Sequence, residues 1–135
     1  MLRRISLVAA SVAMLALSAL PASAATMASS THKLNFPSLH GVRAWGTYTK
    51  TSRGVRLYVC AEDTARGEFA AGAVVLASNA SGSLHTNLGA VDMLGYQHTT
   101  CRSGIVHYTA HLKIYTFTGT STGRISSRSK TKTVY

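Results

Sequence analysis

Gly119-Thr120-Ser121-Thr122-Gly123 matches the Gly-x-Ser-x-Gly pattern that lifts a nucleophilic serine between a strand and a helix in hydrolases. That chemistry needs a helix behind the serine and an acid and a histidine further along. Only 12 residues follow Gly123, none of them His, Asp or Glu, and they have the texture of a strand. The segment therefore reads as a hairpin turn. Ser30-Thr-His-Lys33 and Ser127-Arg-Ser-Lys130 have the Ser-x-x-Lys spacing, but that pair acts from a helix and neither segment is helical in pattern. Two-carboxylate hydrolysis would have to draw on four acids, Glu62, Asp63, Glu68 and Asp92. Glu62 and Asp63 are adjacent and point to opposite faces of an extended chain. No catalytic residue is assigned, and the chain is expected to be a non-enzyme.

Metal chemistry fares no better. His107 and His111 share one strand face, but four residues of extended chain separate their Cα atoms by roughly 13 Å, too far to chelate one ion. His98-Thr-Thr-Cys101 has a ligand-like spacing that Cys60 could complete. Cys60 and Cys101 are, however, the two cysteines of a chain read as exported, and an even cysteine count in an oxidising compartment points to a disulfide. No metal and no cofactor are expected.

Binding chemistry is left. Arg56 and Tyr58 alternate onto the polar face of one strand, and His107, His111, Lys113 and Tyr115 onto that of another. As neighbours, these strands would form a cationic surface with rings that stack on bases or sugars. At the C-terminus Arg128, Lys130 and Lys132 recur at every second position. A strand there would hold them on one face, either as protection of a sheet edge or as a grip on an anionic polymer. Two arginines suit a different class of function, inhibition of an extracellular protease or other hydrolase: Arg102, in the segment TTCRSG read as a loop beside the disulfide, and Arg66, in EDTARGEF.

The N-terminus sets the compartment. Residues 1–24 hold two arginines, an apolar run and an Ala-Ser-Ala ending, which is the order of a secretory signal cleaved after Ala24. The protein is expected to be secreted, with no membrane span once the signal is removed. Arg3-Arg4 leaves the general and twin-arginine routes both open. The signal takes two of the 14 basic residues and none of the four acids, so the net charge of +10 becomes +8. Such a charge favours anionic polymers or the cell envelope as partners, and solubility equally. The oligomeric state is not legible.

The elements that must position these residues are strands. Residues 25–40 show no periodicity and read as a flexible leader; residues 41–135 form the β-domain. A Thr- and aromatic-rich strand over 42–51, a turn at Ser52-Arg53-Gly54 and the alternating VRLYVCAE make a hairpin. FAAGAVVLAS reads as a strand. LHTNLGAVDMLGYQH is one strand with a bulge at Gly89 or two short ones. IVHYTAHLKIYTFT reads as the longest strand, with Val106, Tyr108, Ala110, Leu112 and Ile114 inward and His107, Thr109, His111 and Lys113 outward. Six to seven short strands without a helix predict an all-β, single-domain antiparallel sandwich or barrel with one disulfide.

LYVCAED resembles the Tyr-x-Cys-Ala of immunoglobulin variable domains, but Trp45 precedes both cysteines instead of lying between them. The signal, RGVRLYVCAEDTARG and YTFTGTSTGRISSRSKTKTVY together resemble the small exported β-proteins of actinomycetes, a group without an assigned activity. That resemblance implies an origin and a compartment and no chemistry.

Overall fold

The structure, a computed structural model, describes residues 29–67, 69–107 and 109–135, the side chain of His85 excepted. The expected signal and the first residues of the leader lie outside the described residues. No helix among those described is long and apolar enough to cross a membrane.

Among the described residues nine strands follow in order: β1 (Thr31–Leu34), β2 (Val42–Thr51), β3 (Gly54–Asp63), β4 (Ala70–Ser78), β5 (Leu84–Asp92), β6 (Thr99–His107), β7 (His111–Gly119), β8 (Ile125–Arg128) and β9 (Lys132–Thr133). They form two antiparallel sheets. The first runs β1-β2-β3-β6; the second runs β5-β4-β7-β8, with β9 following β8 along the same edge of β7. The chain is all-β and sandwich-like, as its alternation predicts. The leader reading needs one correction: residues 31–34 are a strand, because Leu34 is buried opposite Gly46 and the Thr31–Thr49 hydroxyls bond at 2.9 Å.

The inner faces are set by period two. Val55, Leu57, Val59 and Ala61 of β3 are buried against Ala73, Val75 and Ala77 of β4 and Leu112 and Ile114 of β7. β4 is the centre of its sheet and is apolar on both faces. Its outer Gly72 lies under the ring of Phe117, which occupies the space a Cβ would need. Gly54 opens β3 at φ +146°, and a Cβ added there would run into the carbonyl oxygen of Val106, a conformation and a closeness that favour glycine.

Two other readings are corrected. TTCRSG is not a loop: Thr99–His107 pairs along β3, with Cys101 opposite Cys60 and Val106 opposite Val55. IVHYTAHLKIYTFT is not one strand. Its first part ends β6 in the first sheet at His107 and its second part begins β7 in the second at His111, so the chain changes sheets between them; Tyr108 lies outside the described residues. Val106, Leu112 and Ile114 are nonetheless buried, and His107, His111 and Lys113 exposed, as read. LHTNLGAVD is one strand, and its irregularity falls between Ala77 and Ser78 of the partner strand, away from Gly89.

The C-terminal segment is also broken. β8 pairs with Phe117, Thr118 and Gly119, and β9 with Lys113 and Ile114. Between them the hydroxyl oxygen of Ser129 accepts the Thr116 N–H at 2.9 Å, the place a strand carbonyl would take. Val134 and Tyr135 then close the seam between the sheets: the Tyr135 ring lies 5.5 Å from that of Tyr48, and the Lys50 ammonium sits 3.8 Å over it. Burial, and to a lesser degree the neighbouring Tyr48, pushes the Tyr135 phenol above its ordinary value.

Candidate binding face

The disulfide joins Cys60 and Cys101 as direct partners on adjacent strands of one sheet, with Cα atoms 4.1 Å apart. Their sulfurs are bonded to each other and are not thiolate ligands. The immunoglobulin arrangement, in which the bridge spans two sheets, is absent.

This bridge lies on the outer face of the first sheet. The register lays out rows across that face: Lys33, Thr47, Tyr58 and Ser103 in one; Thr31, Thr49, Arg56 and Ile105 above it; Trp45, Cys60 and Cys101 below. Trp45, Tyr58 and Ile105 step diagonally from β2 to β3 to β6, each one row higher than the last. Their exposures are 36, 45 and 48%, so three large apolar side chains form a stripe in the open. Diagonal neighbours on a sheet lie about 7–8 Å apart. Arg43 stands at the lower end, its guanidinium 5.2 Å from the Trp45 ring and ion-paired with Glu62. Among the described residues neither Lys33 nor Arg56 has an acidic partner. A groove of about 530 Å³ runs beside the stripe, lined by Lys33, Asn35, Phe36, Trp45, Thr47 and Tyr58. It exists because β1 pairs only with residues 46–49 of β2, which leaves the start of β2 uncovered on that side.

The sequence-predicted binding residues do not all meet here. Arg56 and Tyr58 do. His107 is at the end of β6 on the same face, its Nδ1–H donating to the Arg53 carbonyl at 3.1 Å. His111 and Lys113 belong to β7 and lie on the outer face of the other sheet, with the molecule's thickness between the two groups. Arg128 joins that second face, its guanidinium stacked 3.7 Å over the Tyr115 ring. Lys130 is exposed in the break between β8 and β9. Lys132 sits opposite the inward-facing Ile114 and reaches across the seam, its ammonium donating to the Asn35 carbonyl at 3.2 Å. The three cations of the tail therefore form no single comb, because the break at Ser129 removes the alternation that would align them.

The two arginines of the inhibitor reading also part company. Arg102 lies within a regular strand, opposite Val59, and so points inward from an edge strand until it reaches solvent. A charge in that place guards an edge against pairing. Arg66 is in the connection from β3 to β4, stacked 5.1 Å from the Tyr96 ring.

Sequence reasoning missed Trp45, Lys33 and Ile105. Trp45 could have been found, since VRAWGTYTKT places small Ala44 and Gly46 on one face and Trp45 on the other. Also missed was a pair at the end of the sandwich. Asp92, fully buried, accepts hydrogen bonds from His98 Nδ1 at 2.5 Å, the Thr100 hydroxyl at 3.2 Å and the Leu94 N–H at 3.4 Å. Asp63 is buried as well and accepts from the Ala65 N–H at 3.0 Å. Among the described residues no group of three His, Cys, Asp or Glu side chains is placed to hold a metal ion.

No family model matches the chain, and no curated protein does. Among solved structures the chain is similar to the crystal structure of an endonuclease/exonuclease/phosphatase from Beutenbergia cavernae DSM 12333, at 15% identity and a TM-score of 0.47. The likeness covers 78% of this chain and 27% of that one, so the chain spans about a quarter of that protein's length. At this level it carries no weight for the site.

Proposed function

We propose that the protein is an exported, non-enzymatic domain that binds an extended anionic polymer of the envelope or extracellular space on the outer face of its first sheet. The observation that carries this reading is the exposed Trp45–Tyr58–Ile105 stripe flanked by Lys33 and Arg56. Cations release counterions from a polyanion, and rings stack on sugar or base faces. The groove beside the stripe gives a chain a place to leave the flat sheet. Secretion rests on the N-terminal pattern, and the disulfide accords with it.

The test is retention on immobilised anionic polysaccharide, polyphosphate and single-stranded nucleic acid across a salt gradient. Trp45→Ala and Tyr58→Ala should each weaken binding by about 5- to 150-fold, the range for loss of one stacked ring. Arg56→Ala should lower the salt dependence by about 0.7 in log–log slope on a single-stranded polymer. His111→Ala and Lys113→Ala, on the far face, should change neither. Equal losses from both faces would show that net charge alone binds. The second reading, an inhibitor of extracellular hydrolases, draws on the Arg66 connection, which is held by the Gln97 N–H donating to the Asp63 carbonyl at 2.7 Å and the Asp63 N–H to the His98 carbonyl at 3.2 Å. Saturable inhibition of a trypsin-like enzyme, lost in Arg66→Ala, would select it.

A further inference from the structure

The end of the sandwich formed by residues 64–67, 69, 93–98 and 120–124 carries an apolar tip. Leu94 is 76% exposed, Met93 59% and Phe69 58%, and Tyr96 and Ile125 are also exposed. The fold gathers them. Ala71 pairs with Asp92, so Phe69 and the residues after Asp92 leave the sheet side by side. The Phe69 N–H donates to the Gly119 carbonyl, and Gly119 pairs with Ile125. These side chains are held out. The carboxylate of buried Asp92 grips the Leu94 N–H, His98 and Thr100, and the loop turns back through Gly95 at φ 101° and Gln97 at φ 65°. Arg66 lies over the Tyr96 ring, and exposed Arg124 directly precedes Ile125 in the turn that begins at Thr120. Asp63 and Asp92 are buried beneath, and Glu68 lies outside the described residues.

From this we infer that the tip docks on an anionic lipid surface, with Leu94, Met93 and Phe69 entering the acyl boundary and Arg66 and Arg124 meeting the headgroups. The inference is independent of the polymer-binding face, which lies on the flank of the sandwich. Charge and area select a lipid over a protein partner. A stable protein interface buries about 800 Å² on each side, whereas the exposed parts of these few side chains amount to a few hundred Å². Projecting apolar groups beside an amphipathic ring and two arginines suit the interface of a bilayer, where apolar burial and electrostatic attraction add.

The experiment is co-sedimentation of the purified protein with vesicles of phosphatidylcholine alone and of phosphatidylcholine mixed with phosphatidylglycerol. Binding to the mixed vesicles only is expected. Leu94→Asp, at an exposed position, should keep the urea midpoint and weaken binding about tenfold or more, while Trp45→Ala should leave it unchanged. In a Trp45→Phe/Leu94→Trp variant, the single tryptophan should shift its emission to the blue on mixed vesicles and be quenched by brominated acyl chains. Wild-type binding by Leu94→Asp, no vesicle binding at all, or loss through Trp45→Ala would overturn the inference. So would a dimer in analytical ultracentrifugation that Leu94→Asp dissolves, since the tip would then belong to a second copy.

Discussion

Removing the Cys60–Cys101 bond should cost this domain a large share of its stability. The bridge closes a sequence separation of 41 residues, and the chain enclosed includes all of β4 and β5, two of the five strands of the opposite sheet. Without the bond, the unfolded chain regains the freedom that the closed loop denied it. The chain-entropy relation puts that at about 4 kcal/mol. A domain of this size has about 5–15 kcal/mol in total, so the loss is about a quarter to four fifths of it. The assay is urea unfolding of the oxidised protein beside a Cys60→Ala/Cys101→Ala variant. With a slope of about 2 kcal/mol/M, the midpoint should fall by about 2 M. The slope itself should rise, because an unlinked unfolded chain exposes more surface. Polymer binding should weaken in parallel, since Trp45 sits opposite Cys60 on the same face. A loss below about 1 kcal/mol with an unchanged slope would refute the reasoning, for it would mean that the unfolded chain is not what the bridge restrains. Two reactive thiols in the unfolded, non-reduced protein would refute its premise.

Three more outcomes can be measured directly. Leu112→Ala should destabilise by about 2–5 kcal/mol in thermal or urea unfolding, and its exposed neighbour His111→Ala by less than about 0.5 kcal/mol; the reverse ranking would mean that the faces of β7 are exchanged. Tyr135 is an acid whose folded pKa is raised by burial, so its contribution to stability is complete below the unfolded value of about 10 and declines as pH rises from there through the folded value; unfolding free energy measured between pH 8 and 11 should fall less steeply in Tyr135→Phe. Amide exchange should be slowest in the tail at Ser127 and Val134, whose strand and seam positions pair with β7, and fast at Lys130 and Thr131; uniform rapid exchange over 125–135 would show that the tail is not docked.

Parts of this architecture are legible because local chemistry settles them. The β2–β3 hairpin follows from Gly54, which suits a positive φ, and from an alternation in β3 that buries every second residue. Other parts are illegible because what decides them is far away in the chain. Residues 31–34 become a strand only because β2 offers an edge with Gly46 opposite Leu34. Ser129 breaks the tail because its hydroxyl finds the Thr116 N–H. The tip made by residues 64–67, 69, 93–98 and 120–124 exists only through the register that brings three turns to one end.

The misreading of residues 99–119 has the most instructive cause, and it decides where function can lie. Val106, Leu112 and Ile114 keep one parity, and all are buried, so period two reported burial faithfully. Yet burial is all that period two reports. A strand that leaves one sheet of a sandwich and enters the other keeps its inner residues inward on both sides of the corner. Continuous strand and corner therefore have the same alternation. The outer residues do not survive the ambiguity, because inward is a single core whereas outward is two opposite faces. His107 and His111, four residues apart, end on different faces for that reason. A surface inferred from alternation alone can thus be trusted within a hairpin, as with Trp45 and Tyr58 on β2 and β3, but not across a connection that changes sheets. The candidate binding face is accordingly built around the hairpin.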